Sequence, residues 1–360
     1  MSRICILGDT HFGVRGDSVE FHNYFKKFYE IVFFPYLVEN EITTVIQLGD
    51  LFDRRKFINF NSLHLARKYF FDRFEELDIK LITLLGNHDI AFKNTLEVNS
   101  TELLLQGYKN IEIFNDFKTL WYNDVQLDIV PWICEENSDS ISKQIKASKS
   151  QICFGHFEIN GFEMDRGNVF KGGHMDKKDL LKYDMVMSGH FHHKSDDGHI
   201  YYLGTPYENT WSDYNDPRGF HIFDVNTRAL EFIQNPFQIF HKISYDDKEQ
   251  DSKFWNSFNF DSKKDTYVKI VVVNKTDPYL FDTVLDKLYK AGVTDVGIVE
   301  DFTEISVDDD EMDESLNQAE DTLTIMNKAI DSMQHDLDTN KLKSMLREVF
   351  VEAINKDKAE

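Results

Sequence analysis

Asp9 and His11 stand two residues apart and can reach one divalent cation from a single loop. Further along, the Asp50 carboxylate, the Asn87 amide oxygen and the imidazoles of His156, His190 and His192 offer the same capacity. Oxygen and nitrogen donors without a thiolate suit Mn²⁺, Fe²⁺ or Mg²⁺ better than a structural zinc site. Asp50 can bridge two ions, so the set implies a pair of cations. Two dications carry +4 against −2 from Asp9 and Asp50, which leaves a centre that attracts phosphate oxygens even on an acidic protein.

These donors are scattered over more than 180 positions, so the fold must gather them. The gathering is written in five steps, Gly8-Asp9, Gly49-Asp50, Gly86-Asn87, Gly155-His156 and Gly189-His190, each at the end of a run of β-formers. Glycine there reads as a tight turn at a strand end, where loops converge on one edge of a sheet. Strands are expected at Ile4–Leu7, Thr44–Leu48 and Lys80–Leu85. Between them lie two helices, one starting at Ser18 with Phe21, Phe25, Phe28 and Val32 on one face, the other carrying Leu63, Ala66, Phe70 and Phe74. Segments at 125–130, 151–154, 185–187, 200–203, 220–224 and 230–233 predict a second sheet. The expected class is α/β, a two-sheet β-sandwich flanked by helices.

The 360 residues are 41% hydrophobic and 14% aromatic, enough for one large catalytic domain with smaller appendages. Three widely spaced cysteines argue against a disulfide framework and fit a reducing cytoplasm. The longest apolar stretch, Ile31–Val38, contains a proline and is too short to span a bilayer, so no membrane association is expected. Past residue 240, strand Tyr267–Val273, a helix capped by Asp277 and stopped by Gly292, and strand Val293–Val299 predict a small α/β module over 241–299. Residues 300–314 read as an acidic linker. Leu316, Ala319, Leu323, Met326, Ile330, Met333 and Leu337 then form a three-heptad stripe, and Leu342–Ala353 a second one, so residues 315–360 read as helices that bury their faces on a partner. Net charge is −23, but residues 300–339 hold 14 acidic residues and one basic residue, so bulk charge says little about the face that carries the donors.

The order D-x-H, G-D-x-x-D, G-N-H-D, G-H, G-H-x-H resembles the calcineurin-like metallophosphoesterases. Gly189–His192 followed by Tyr202–Pro206 resembles the SbcD-type DNA repair nucleases within that superfamily, with Thr205 where they carry Ser. Val130–Asn137, Asn160–Phe162 and Asn215–Phe220 resemble most specifically the recombination endonuclease subunits of tailed phages. The resemblance implies that Asp9, His11, Asp50 and His192 hold one metal and Asp50, Asn87, His156 and His190 the other. It implies a catalytic, non-ligand role for His88, oriented and charged by Asp53, a position where some SbcD-type relatives carry His. It further implies a Mn²⁺-dependent DNA nuclease (Mg²⁺ or Fe²⁺ as alternatives) that dimerises through its N-terminal domain, caps DNA with 241–299, and docks its C-terminal helices on an SbcC-type coiled-coil ATPase. ATP hydrolysis would belong to that partner, because no G-x-x-x-x-G-K-[ST] loop is present here.

Two rivals share the motifs: a phosphomonoesterase, and a DNA-binding scaffold with a decayed metal site. Arg54, Arg55, Lys56 and Lys93 are candidate phosphate contacts, and Tyr207, Trp211 and Tyr214 near Arg218 candidate stacking groups, against ordinary solvated charge and loop packing.

Overall fold

The computed structural model describes residues 2–165, 168–170 and 175–300. The expectations for 301–360, covering nearly all of the linker and both helical stripes, lie outside these. In chain order the main elements are β1 (Arg3–Leu7), α1 (Val19–Phe28), β2 (Thr44–Gln47), α2 (Phe60–Ala66), β3 (Lys80–Leu84), β4 (Ile111–Phe114), β5 (Lys118–Tyr122) and β6 (Val125–Val130). There follow α3 (Ser138–Ala147), β7 (Ile152–His156), β8 (Met185–Gly189), β9 (Ser195–Asp196), β10 (Ile200–Tyr202), β11 (Gly219–Asp224) and β12 (Leu230–Gln234). Last come β13 (Phe240–Asp246), β14 (Tyr267–Asn274), α4 (Pro278–Ala291) and β15 (Asp295–Val299).

Two six-stranded sheets, ordered β12-β11-β1-β2-β3-β4 and β9-β10-β8-β7-β6-β5, form the body. Ile4, Ile6, Ile46, Ile82 and Leu84 of the first meet Leu127, Ile129, Ile152, Phe154 and Met187 of the second in one buried cluster. The alternate residues Cys5, Leu7, Val45 and Leu81 face Phe21, Phe25, Phe28 and Phe70 of the helices, and Val130, Cys153 and Val186 face Ile141 and Ile145 of α3. Period-two alternation in strands buried on both faces therefore yields a helix–sheet–sheet–helix stack.

The expected second sheet needs correction, because β11 and β12 belong to the first. β11 pairs antiparallel with β1, from Arg3 opposite Asp224 to Ile6 opposite His221. Alternation reports that a strand is buried; it does not report which neighbour covers it. Ser18 caps α1, accepting from the Phe21 amide, as its position suggested. Both long helices then pass through a π-helical turn, at Tyr29–Phe33 and Arg67–Phe71. One extra residue per turn shifts the buried stripe, so Phe33 is buried where Val32 was expected, and Val32 is half-buried.

β13, β14 and β15 form a separate three-stranded parallel sheet. Its core, Tyr245, Trp255, Val268, Ile270, Phe281, Val284 and Leu288, is its own. Asp277 caps α4 and Gly292 ends it in a left-handed conformation. The strand after it starts at Asp295, and Val293 is a buried residue of the preceding turn. The sheet leans on the body through Phe240 and Tyr267, whose rings lie 6.0 and 5.6 Å from Phe21. No helix among the described residues is long and apolar enough to cross a membrane.

Candidate active site

β1, β2 and β3 are parallel neighbours in one sheet, and β7 and β8 in the other. Parallel strands end on the same edge, so the loops that follow them converge at the carboxyl ends of both sheets. Asp9, Asp50, Asn87 and His88 arrive from the first sheet, and His156, His190 and His192 from the second. Asp9, His11, Asp50 and His156 are at most 2% exposed.

Two donor groups result, Asp9 with His11 and His192, and Asp50 with His156 and His190; within each, the ligating atoms lie within 4.8 Å of one another. Asp50 Oδ2 lies 3.9 Å from His11 Nε2 and 3.4 Å from His156 Nε2, between the two. Asn87 Oδ1 lies 2.9 Å from both His156 Nε2 and His190 Nδ1, and the Nε2 atoms of His11 and His192 face each other at 2.9 Å. Lone-pair atoms brought this close suit a shared cation better than one another. His156 Nδ1 donates to the Leu48 carbonyl at 2.7 Å, which leaves Nε2 as the ligating atom.

The ionisation states agree. Burial lowers the basicity of His11, His190 and His192, the last to about 4, so these rings are neutral at pH 7 and able to ligate. Burial also opposes charge on His156, yet the Asp50 and Asp9 carboxylates outweigh it and raise the imidazole to about 9. The acidic pocket draws positive charge to its centre.

The loops are held by residues without an assigned role in the sequence reading. Asp89, fully buried, accepts from the amides of Asp50, Leu51 and Gly86 and so ties the second and third motifs together. Burial and the neighbouring Asp50 push it up to about 7. Its signal was present as the last letter of G-N-H-D. Gln47 joins the Gly8 and Gly49 carbonyls and the Thr83 hydroxyl. Arg218 donates to the His192 carbonyl and to Thr205 Oγ1 and pairs with Asp213 at 2.6 Å, fixing the fifth motif.

His88 and Asp53 come together, with one difference from expectation. The Asp53 backbone carbonyl, rather than its carboxylate, receives His88 Nδ1 at 2.5 Å. The carboxylate turns toward His11 Nδ1, 3.6 Å away, and burial raises it to about 6. Of the candidate stacking groups, Tyr207 is unavailable: it is buried, stacked on Phe25 at 3.7 Å, and its hydroxyl donates to the Thr10 carbonyl. Trp211 packs on Phe240 and Arg218 is buried in its ion pairs. Arg54 pairs with Asp17 at 3.0 Å.

The glycines serve a purpose other than the one expected. Only Gly49 among the five has a positive φ, 93°. A Cβ on Gly86 would lie 2.1 Å from Asp50 Oδ1, and one on Gly189 2.4 Å from Asp9 Oδ1. Close approach of one ligand loop to the next, more than turn geometry, demands glycine there.

Comparison with known proteins agrees with this geometry. Residues 2–194 match the family model for calcineurin-like phosphoesterases. Exonuclease subunit 1 of Enterobacteria phage T4 is 32% identical over 98% of this chain and 99% of its own length. The SbcD subunit of the nuclease SbcCD from Staphylococcus epidermidis is 24% identical over 43% of this chain and 48% of its own. Among solved structures, an archaeal phosphodiesterase overlaps 65% of this chain and 99% of its own at 16% identity, with a TM-score of 0.33 that carries no argument. On the family model and the full-length relative together, the chain belongs to the calcineurin-like phosphoesterase family and is a metal-dependent phosphoesterase.

Proposed function

We propose that the chain is the nuclease subunit of a DNA recombination or repair complex, a Mn²⁺-dependent phosphodiesterase acting as exonuclease on double-stranded ends and endonuclease on single strands. The observation that carries this is the meeting of two donor groups on either side of Asp50. Asp9, His11, Asp50 and His192 would hold one ion, and Asp50, Asn87, His156 and His190 the other, with Mg²⁺ or Fe²⁺ as alternatives. Such a pair supplies charge to the phosphate and an activated water, the two-metal mode. The protein's part is to keep four imidazoles oriented and to place His88. With Nδ1 committed to the Asp53 carbonyl, His88 presents Nε2 to the departing 3′ oxygen, which it protonates. The names of the phage exonuclease and of the SbcCD nuclease, each given as one subunit, support DNA as substrate and membership of a larger assembly. A homodimer, a DNA-capping role for 241–299, an SbcC-type ATPase bound by 315–360, and action in the cytoplasm belong to the same proposal.

Replacing His88→Asn tests it. The variant is expected to keep two Mn²⁺ per chain by elemental analysis while turnover on duplex ends and single strands falls by about 10²- to 10⁴-fold, the range of a lost general acid. Loss of metal, or unchanged turnover, would reject the assignment. Wild-type hydrolysis of phosphomonoesters with none of DNA would favour a phosphomonoesterase, and inactivity of wild type and Asp50→Asn alike a scaffold.

A further inference from the structure

The loop Val130–Asn137 takes no part in the metal chemistry, yet it is firmly held beside it. The Trp132 amide donates to the Leu85 carbonyl at 2.7 Å, the Asn137 side chain donates to the Trp132 carbonyl at 3.0 Å, and the Cys134 amide donates to Asn137 Oδ1 at 2.8 Å. These bonds stand the indole ring 5.8 Å from the ring of His156 and 5.1 Å from that of His190. Behind the indole opens a cavity of about 260 Å³ that reaches α3, and His156 belongs to both the cavity and the donor cluster.

We propose that this cavity takes one unpaired nucleoside of the DNA strand, the one adjoining the phosphodiester held at Asp50. The proposal rests on the nuclease reading above and adds to it a subsite that fixes which phosphate is cut. Position argues for it, because an occupant touching Trp132 is already against the second donor group. Size argues too: the volume falls just below the roughly 300 Å³ lower end of small-molecule pockets, so one base with its sugar fits and a base pair does not. The lining has the character such a ligand needs. Trp132, Phe157 and Ile145 offer apolar surface to the flat faces of a base, while Ser142, Lys146 and Glu158 offer donors and acceptors to its edge. A site that excludes pairs accepts single strands directly, and accepts a duplex end once its last pair opens. One cavity then serves both substrates.

The test compares a single-stranded oligonucleotide with versions carrying an abasic residue on either flank of the cleaved phosphate, under Mn²⁺. The wild type is expected to lose about tenfold in kcat/KM when the flanking base is missing on one side, the scale of one lost stacking contact. Ser142→Trp fills the cavity from α3 and should cut intact and abasic strands at the same slow rate. Its Mn²⁺ content and thermal midpoint report whether the fold and the centre are intact. Trp132→Ala should likewise lose the discrimination and Trp132→Phe restore it, a pattern that a purely structural role would not produce. Equal wild-type rates on intact and abasic strands, or full discrimination in Ser142→Trp, would overturn the cavity assignment while leaving the nuclease reading in place. Failure of the wild type to cut DNA at all would overturn both.

Discussion

Three of the proposed ligands sit in backbone conformations that side chains avoid: His11 at φ 44°, Asp50 at 54° and His190 at 87°. Each such residue costs on the order of 1–3 kcal/mol and persists because its surroundings leave no alternative. Asp89 and Gln47, by binding loop amides and carbonyls, are the surroundings here. Glycine beside these residues is a matter of space, so Gly86→Ala is expected to drive its Cβ against Asp50. Calorimetric Mn²⁺ titration should show affinity lost by about tenfold or more, with stability falling by about 1–3 kcal/mol, as for an overpacked core. Wild-type affinity in that variant would contradict the close approach. Away from the centre, His221 is 6% exposed, and burial, helped by Lys194, lowers it to about 3. Its unfolded value is about 6.5. The neutral ring therefore contributes stability that is complete above pH 6.5 and lost as pH falls from there toward 3. Replacing it by Phe, which matches the neighbouring Phe232 ring, should flatten that part of the curve of urea midpoint against pH.

Strand direction does the gathering at the level of elements. The crossovers through α1 and α2 make β1, β2 and β3 parallel, and their ends bring Asp9, Asp50 and Asn87 to one edge. The helices also buttress the loops from behind. Tyr207 stacks on Phe25 of α1 and donates its hydroxyl to the carbonyl of Thr10, the residue between Asp9 and His11. Tyr207→Phe keeps the stack and strands a buried acceptor, so unfolding free energy should fall by about 1–3 kcal/mol. A parallel loss of Mn²⁺ affinity is expected, since the same bond fixes the first loop; unchanged affinity would show that loop to be held from elsewhere.

For the whole molecule, more than half of the net charge of −23 is carried by residues 300–339, leaving the catalytic body far less acidic than the total suggests. If residues 315–360 serve a partner, a chain ended after Glu314 should keep Mn²⁺-dependent cleavage and fail to bind the ATPase in a pull-down. Retained binding would move the contact to the body.

The donors themselves, the strands that end in them, the Ser18 and Asp277 caps and the Gly292 stop were all legible in the sequence. Each is a local property, set by residue chemistry, alternation or a cap within a few positions. Only the tertiary structure decided that β11 and β12 flank β1, that a π-helical turn buries Phe33 in place of Val32, and that the carbonyl of Asp53 meets His88. It also decided that Gly86 and Gly189 make room for Asp50 and Asp9, and that Trp132 walls a cavity beside His156. Periodicity records how much of a side chain is covered but never by what, and the covering groups come from parts of the chain tens to hundreds of residues away.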